Sequence, residues 1–411
     1  MNTTSKYCIL LILFILSCCK KEPTNLKTTI NGLSDVVVKY GSILTISGSN
    51  FNILEGATKV LITDSLITYT ITPLSVSKGE IKIEIYNHDD STALLKLASF
   101  YVGVKTGTTT VWSDKRVYII SSWTQVSDFS VPARYMSTAF TLGGNCYIGG
   151  GAGDGGIFKD LWKYNPILNS WTRQADLPGP PRVYPRSFSN SINGFLGSGY
   201  SSDNSSRIQF YDFYKYDPQK NEWSTIPNYP DNISSFYVGY TLTVNGRPFI
   251  SLSNQTLTMR ELVNDSWMSF ATVPDMIDCP ASGVFSIGKK FYVVVGNRIN
   301  NSVSNAVLEY NTDNGTWTKK ANFPGQARYA PAFFSIGSFG YYGCGMSTSS
   351  EQHKDMWRYD PLNDKWIRIE DFPGGIRSHL IGVSDGKSGF VGLGIIMSSK
   401  YYHNDFWRYD P

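Results

Sequence analysis

Residues 147–151 read YIGGG, residues 163–166 read KYNP, and Trp171 follows. The same order of motifs returns further along the chain, and tryptophans mark the copies at nearly constant spacing. These tryptophans are Trp123, Trp171, Trp223, Trp267, Trp317 and Trp366. A period of about 50 residues predicts that one small structural unit is repeated, so the chain after Trp123 is not expected to be an ordinary single-core domain.

Each motif has a physical reason to recur in a four-stranded unit. Copies of the glycine strand are FLGSG at 195–199, YYGCG at 341–345 and FVGLG at 390–394. Spaced glycines allow backbones to approach closely where inner strands crowd together. Copies of the second motif are KYDP at 215–218, RYDP at 358–361 and RYDP at 408–411, with EYNT at 309–312 as a variant. Asn or Asp beside Pro favours a tight turn between two strands.

Together these motifs resemble the kelch repeat, and the resemblance covers residues 123–411. It implies an all-β fold, a six-bladed kelch-type β-propeller. The units at 232–270 and 279–318 depart from the pattern: Phe249-Ile250-Ser251-Leu252-Ser253 replaces one glycine strand, and the next unit keeps only Gly296 of the glycine pair. Their tryptophan spacing still fits, so we interpret them as degenerate blades.

The two ends of the repeat region predict how the ring closes. The Trp123 strand has no unit before it, while Tyr409-Asp410-Pro411 lacks the Trp strand that follows every other copy. We therefore expect the Trp123 strand to complete the last blade, beside the strand of residues 405–411. That pairing would remove the two open edges of a linear array.

The first residues predict export and lipid anchoring. Lys6 precedes an apolar run from Tyr7 to Leu16 that is too short to span a bilayer and is typical of a signal peptide. Residues 15–18, ILSC, resemble a bacterial lipobox, which implies a signal peptide over 1–18 and a lipid on Cys18. A plain secretory peptide is the alternative. The resemblance to Bacteroidetes lipoproteins implies an outer membrane lipoprotein, periplasmic or exposed at the cell surface.

Residues 24–104 contain short β-rich runs separated by turn residues, which predicts a small β-sandwich. An element with Gly41, Leu44, Ile46, Gly48 and Phe51 resembles the IPT/TIG immunoglobulin-like domain. The resemblance implies a spacer or binding module. Residues 105–122 are rich in Thr and predict an extended linker to the repeat region.

An arginine recurs 13 residues before the first aromatic residue of the glycine strand. This register contains Arg134, Arg182, Arg328 and Arg377, and in the third and fourth units Phe236 and Cys279. Beside it stand Tyr135, Tyr184, Tyr237, Tyr329 and His379. Guanidinium groups bind carboxylates in a bidentate fork, and tyrosines offer stacking surfaces. These residues predict a ligand-binding site near the axis, on the face with the long variable loops.

The alternative for each arginine is a structural role, with hydrogen bonds to neighbouring loops. The recurring acids favour a structural role too, because they precede the third strand as turn and strand-edge partners would. They are Asp160, Asp212, Asp355 and Asp405.

These observations predict a membrane-anchored recognition protein that binds a glycan or protein ligand. The alternative is a sugar mutarotase or epimerase like the periplasmic sialic-acid mutarotases of kelch type. The sequence offers the arginines but no Glu in the inner-strand register, so no catalytic residue is predicted. Four scattered histidines predict neither a metal site nor a cofactor. A net charge of +4 without a basic cluster argues against a nucleic-acid partner.

Overall fold

The computed structural model describes residues 27–54, 56–64, 66–85, 98–203, 206–231, 239–252, 258–272, 283–295, 304–347 and 351–411. Within these ranges every regular element is a β-strand, and the predicted all-β class is confirmed. Accordingly, the described part contains no helix long and apolar enough to cross a membrane. The signal segment with Cys18, and the register residues Phe236, Tyr237 and Cys279, lie outside the described residues.

Nine strands precede Trp123 in the part of the chain that the structure describes. They are β1 (Thr29–Leu33), β2 (Val37–Val38), β3 (Ile43–Ser49), β4 (Thr58–Thr63), β5 (Thr68–Ile71), β6 (Ser75–Val76), β7 (Glu80–Glu84), β8 (Ser99–Thr106) and β9 (Thr109–Ile119). They form a four-stranded sheet in the order β1-β3-β7-β6 and a five-stranded sheet in the order β2-β9-β8-β4-β5. Buried and less buried residues alternate along β4, so one face of that strand is covered by the core.

The segment 105–122 differs from the extended linker expected from its composition. It contains all of β9, which is hydrogen-bonded between β2 and β8. Val117 is fully buried, and Ser113 Oγ accepts a hydrogen bond of 3.0 Å from the Val102 backbone. A Thr-rich run is also compatible with a strand, because β-branched side chains favour the extended backbone.

The chain forms two compact units. The smaller contains residues up to Ser34, Thr45–Ile83 and Tyr101–Arg116, and the larger contains Asp35–Leu44, Glu84–Phe100 and Val117–Pro411. The larger unit thus includes the whole repeat region.

The repeat region begins with β10 (Trp123–Gln125) and then forms six four-stranded antiparallel sheets, which we number 1 to 6. Sheet 1 and its loop contain β11 (Thr138–Leu142), β12 (Asn145–Gly149), β13 (Ala152–Gly153), β14 (Gly156–Ile157), β15 (Leu161–Asn165) and β16 (Ser170–Gln174). Sheet 2 and its loop contain β17 (Arg186–Ser189), β18 (Gly194–Gly197), β19 (Tyr200–Asp203), β20 (Ser206–Gln209), β21 (Phe213–Asp217) and β22 (Glu222–Ile226).

Sheets 3 and 4 correspond to the two units that depart from the repeat motif. Sheet 3 contains β23 (Tyr240–Val244), β24 (Arg247–Ser251), β25 (Thr258–Val263) and β26 (Ser266–Thr272). Sheet 4 contains β27 (Gly283–Ile287), β28 (Lys290–Val294), β29 (Val307–Asn311) and β30 (Thr316–Lys320). Both keep four antiparallel strands in sequential order, as sheets 1 and 2 do.

Sheet 5 contains β31 (Ala332–Ile336), β32 (Phe339–Gly343), β33 (Met356–Asp360) and β34 (Lys365–Arg368). The last strands of the chain are β35 (Ile381–Ser384), β36 (Gly389–Gly392), β37 (Ile395–Ile396), β38 (Tyr401–Tyr402) and β39 (Phe406–Tyr409). The pairs β13–β14, β19–β20 and β37–β38 form short hairpins between the second and third strands of sheets 1, 2 and 6.

Sheet 6 is built from both ends of the repeat region, in the order β10-β39-β36-β35. Trp123 pairs with Tyr409 and Gln125 with Trp407. The Trp123 ring is buried, with its centroid 4.9 Å from the Tyr409 ring and 5.3 Å from the Phe372 ring. The pairing is the one that the unmatched ends of the sequence predict.

The first strands of the six sheets neighbour one another in a closed cycle, from β11 through β17, β23, β27, β31 and β35 back to β11. Close packing between sheets explains a glycine that directly precedes three of the glycine-strand motifs, at Gly194, Gly340 and Gly389. A Cβ atom on Gly194 of sheet 2 would lie 2.2 Å from the Phe140 ring of sheet 1. The cycle of inner strands encloses a central axis, and the first strands therefore determine what lines it.

Candidate functional site

The four register arginines are buried beside aspartates of their own sheets. Arg134, Arg182, Arg328 and Arg377 have 0–2% of their surface exposed. Each guanidinium group donates two hydrogen bonds to an aspartate that directly precedes the third strand. The pairs are Arg134–Asp160, Arg182–Asp212, Arg328–Asp355 and Arg377–Asp405, with distances of 2.5–3.1 Å.

Each arginine also donates to a backbone carbonyl at the end of the second strand, at distances of 3.1–3.3 Å. One side chain thus ties the loop entering the first strand to the second and third strands. Burial opposes the ionisation of Asp160 and of Asp355, but the paired arginine outweighs it and holds the pKa of each carboxyl group below its ordinary value.

These contacts correct the sequence-based prediction for the arginines. Their guanidinium groups lie beneath the surface with their donors directed into the protein, so they do not present a surface to a ligand. The contacts instead match the alternative interpretation, in which each arginine fixes neighbouring loops. The aspartates occupy the partner role that the sequence predicts for them.

A second position near each pair differs between sheets. Two residues before the aspartate, sheets 1 and 2 have Phe158 and Phe210, whose ring centroids lie 4.0 and 4.6 Å from the guanidinium carbon. Sheets 5 and 6 have His353 and His403 there. Burial and the nearby Arg328 lower the pKa of His353, and burial and Arg377 lower the pKa of His403 to about 4. No group of three metal-ligating side chains occurs among the described residues.

Two residues after each arginine, a non-glycine residue adopts the left-handed backbone conformation. These residues are Met136, Tyr184, Ala330 and His379, with φ of 50–56°. A left-handed φ is uncommon for residues with a Cβ. Because it recurs at the same position in four sheets, we infer that the surrounding structure imposes the turn there. The turns are joined between sheets: the Tyr184 N–H donates to the Met136 carbonyl at 2.9 Å, and the His379 N–H donates to the Ala330 carbonyl at 3.1 Å.

All four left-handed residues line a cavity of about 160 Å³ at the mouth of the axis, which we call the axial cavity. Its walls come from the ends of the first strands and the turns that enter them. Arg186, the first residue of β17, supplies a positive charge, and the described lining residues include no Asp or Glu. Desolvation lowers the pKa of Arg186 to about 10, which leaves the side chain cationic at neutral pH.

Arg186 is the charged member of a set of six equivalent inner-strand positions. The others are Thr138, Tyr240, Gly283, Ala332 and Ile381, each opposite the same point of its second strand. Arg186 was not predicted from the sequence, because the prediction relied on arginines that recur at one position in several units. The available signal was its place four residues after Arg182, at an inner-strand position where other units are uncharged.

His379 is the titratable imidazole of the axial cavity. It is 9% exposed, and desolvation lowers its pKa to about 4, so the ring is neutral at pH 7. Its Nδ1 lies 3.1 Å from Ser378 Oγ. In the tautomer whose Nδ1–H donates to the Ser378 hydroxyl group, Nε2 is the basic nitrogen.

A contiguous set of aromatic rings leads from the axial cavity toward the hairpins, and we call it the aromatic array. Ring centroids are 5.2 Å apart for Tyr402 and Tyr135, 5.9 Å for Tyr135 and His379, 5.6 Å for His379 and Tyr184, and 6.0 Å for Tyr184 and Tyr200. The structure thus brings together three predicted site residues, Tyr135, Tyr184 and His379. Tyr329 is half-buried and is not among the residues lining the cavity.

Comparison with known proteins gives a structural likeness only. No family model matches the chain, and no curated protein matches it. The chain is similar to a solved structure described as "Structure of YjhT", at 15% sequence identity and a TM-score of 0.58, covering 68% of this chain and 95% of that chain. At this identity the likeness concerns the fold. It supports an all-β, propeller-like arrangement.

Proposed function

We propose that the chain is a sugar mutarotase that binds an acidic sugar in the axial cavity and speeds the exchange between its anomers. The observation that carries this proposal is the cavity itself, whose lining contains a cationic Arg186, a neutral His379 and tyrosine rings. An arginine suits a sugar carboxylate because its planar fork matches the two oxygens. The tyrosine rings suit the apolar face of a pyranose.

The fold part of the proposal is a six-bladed kelch-type propeller, with sheets 1 to 6 as blades. The closed cycle of first strands and the β10–β39 pairing support it. We further propose that the strands before Trp123 form an immunoglobulin-like domain of IPT/TIG type. Lipidation of Cys18 would anchor the protein to the outer membrane.

Anomer exchange needs proton transfer but no redox chemistry. The anomeric hydroxyl group loses its proton, the bond between the anomeric carbon and the ring oxygen breaks, and the ring oxygen takes up a proton. Closure from the other face reverses these steps. His379 Nε2 would accept the hydroxyl proton and return it to the ring oxygen. A bound carboxylate would raise the pKa of His379 toward neutrality, because a nearby negative charge favours the imidazolium form.

The decisive experiment is an NMR measurement of anomer exchange for N-acetylneuraminate and galacturonate, with and without the protein. We expect faster exchange with the protein, and a loss of at least about tenfold in rate for His379→Gln. For Arg186→Gln we expect weaker binding of both acids by calorimetry. Arg173→Gln is the matched control, since Arg173 is an exposed arginine paired with Asp176. Unchanged exchange with the intact protein would reject the mutarotase.

The second candidate is a membrane-anchored recognition protein without catalysis. The β37–β38 hairpin favours it, because Tyr401, the neighbour of Tyr402 in that hairpin, is 60% exposed and offers its ring to a ligand at the surface. Binding of either acid without faster exchange would support this function. Absence of binding to both acids would reject the axial cavity as their site.

A further inference from the structure

We infer that the ligand is an acidic oligosaccharide whose terminal residue enters the axial cavity and whose adjoining residues lie across the aromatic array. This inference rests on the proposed acidic-sugar site and adds the size and direction of the ligand. It follows from three observations: the volume of the cavity, the path of the aromatic rings and the location of the hairpins.

The cavity is too small for an extended ligand. Its volume of about 160 Å³ lies below the roughly 300–1,000 Å³ of pockets that enclose whole drug-sized ligands. It therefore accommodates about one sugar ring with its carboxylate. Any further residue of the ligand must lie outside the cavity, on the surface next to its mouth.

The aromatic array begins at that mouth. His379 and Tyr184 belong to both the cavity and the array, and Tyr135 and Tyr402 continue it toward the β37–β38 hairpin. Tyr135 and Tyr402 are half-buried, so each ring is fixed by packing while part of it faces solvent. Rings held in this way bind sugar residues at little cost in conformational entropy.

Among the described residues, sheets 3 and 4 have no hairpin between their second and third strands and sheet 5 has a single antiparallel bridge between Met346 and Gln352, whereas sheets 6, 1 and 2 each have one of the three hairpins. Their exposed side chains include Tyr401 and Met397 on one hairpin and Ile208 on another. At the opposite end of the array from Tyr402, the guanidinium group of Arg207 lies 5.4 Å from the Tyr200 ring centroid.

The proposed reaction also fixes which end of the chain enters. Anomer exchange requires a free anomeric hydroxyl group, which an oligosaccharide has only at its reducing end. The reducing-end residue would therefore occupy the axial cavity, and the chain would leave it across Tyr135 and Tyr402.

Calorimetry with monomers and matching oligomers tests the inference. The probes are galacturonate and trigalacturonate, N-acetylneuraminate and its α2,8-linked trimer, and maltotriose as a neutral chain. We expect each trimer of the acid that binds to be at least about tenfold tighter than its monomer, and maltotriose to be weaker than both. Tyr402→Ala should remove most of the trimer's advantage and leave the monomer affinity unchanged, which also shows that the variant is folded.

Two further variants complete the test. Tyr402→Phe keeps the ring and should keep the trimer's advantage, and Tyr118→Ala, which removes an exposed tyrosine before Trp123, should have no effect. Equal affinities of monomer and trimer for the intact protein would overturn the oligosaccharide inference and leave the acidic-sugar site standing. Loss of trimer affinity in Tyr118→Ala, or full trimer affinity in a folded Tyr402→Ala, would also overturn it. Absence of binding for every acid would overturn the proposed site itself.

Discussion

Sheets 1, 2, 5 and 6 differ from sheets 3 and 4 in how their polar side chains hold the strands together. The first group has the buried arginine–aspartate pair on the face of the axial cavity. The described residues of sheets 3 and 4 use other pairs: Arg247 with Glu261 at 2.6 Å, and Lys290 with Glu309 at 2.8 Å. Both acids stand in the third strand, where the other sheets have a basic residue: Lys163, Lys215, Arg358 and Arg408.

This difference distinguishes the polar contacts that a four-stranded sheet needs from those that the loops around the axial cavity need. Sheets 3 and 4 keep four strands and a buried aromatic core without the register arginine, and in sheet 3 Arg260 of the third strand pairs instead with Asp231, which precedes the first strand. The register arginine is therefore not required for a four-stranded sheet. The pair serves the loops, and the left-handed turns that line the axial cavity follow it directly in the chain. A change in the pair should thus disturb stability and the cavity together.

The largest expected effect is a difference in stability loss between the two groups of sheets when one acidic residue is removed from each. Asp160→Ala leaves the fully buried Arg134 without its carboxylate and should lower the free energy of unfolding by about 3–5 kcal/mol. Glu261→Ala should cost about 1 kcal/mol, because Arg247 is 46% exposed and water can replace its partner. Chemical denaturation of the variants measures both values. Equal losses would show that the two kinds of pair are equivalent.

Removing both partners of the buried pair is the control for that result. In Arg134→Met with Asp160→Leu, no charge remains unpaired, so the loss should be smaller than in Asp160→Ala. A double variant as unstable as the single one would mean that the shape of the pair, not its charge, holds the loops.

A smaller effect distinguishes members of the first group, because sheets 5 and 6 have histidine where sheets 1 and 2 have phenylalanine. His403 faces Arg377, Asp405 and the Tyr401 ring, and its pKa of about 4 lies below the ordinary 6.5. Between those values the unfolded chain binds a proton that the folded chain does not, so the free energy of unfolding falls as the pH falls. At pH 5 this histidine should cost about 2 kcal/mol relative to pH 8.

His403→Phe should remove that part of the acid sensitivity, as measured by denaturation at pH 5 and pH 8. Phenylalanine should fit, since Phe158 makes the backbone hydrogen bond of 2.9 Å to Gly151 that corresponds to the bond of 3.0 Å from His403 to Gly394. Phe210→His is the reciprocal variant and should gain acid sensitivity in sheet 2. An unchanged pH dependence in both variants would contradict this explanation.

The smallest expected effect concerns contacts that sheets 3 and 4 share with the rest of the ring. Hydroxyl groups of first strands donate to carbonyl groups of the preceding sheet: Ser189 to Thr141 at 2.7 Å, Thr243 to Ser189 at 2.6 Å, and Ser286 to Thr243 at 2.7 Å. Thr243→Val keeps the side-chain shape and removes one such bond, with an expected loss of about 1 kcal/mol. Thr225→Val, on an exposed strand position, is the control. A loss near zero at Thr243 would mean that water replaces the bond.

The sequence predicts the features that repeat and fails on those that occur once. The spacing of tryptophans and the unmatched Trp123 strand are sufficient to predict the repeat and its closing pair, because each unit carries its own turn and glycine signals. The arginine register was equally visible, but its burial was not. Arg134 and Asp160 are separated in the chain by the four strands β11 to β14, so sequence neighbours do not reveal the contact.

The parts that could not be predicted have no repeated signal. Arg186 occurs in one of six equivalent positions, and Tyr402 lies in a hairpin whose length and composition differ between sheets. The left-handed backbone conformation occurs at four residues that are not glycine, so the sequence gives no signal for it. These residues are Met136, Tyr184, Ala330 and His379. Similarly, β9 is indistinguishable by composition from an extended linker. Its partner strands determine its role.

The pairing of β10 with β39 has a consequence for the order of folding. Sheets 1 to 5 join strands that are near neighbours in the chain, and each can form soon after its own residues are available. Sheet 6 must join the first strand of the repeat region to the last, and contacts between distant residues form slowly. During synthesis, the Trp123 strand therefore lacks its partner strand, and its indole ring remains exposed, until the final strand is available. This interval is when the chain is most vulnerable to aggregation and proteolysis.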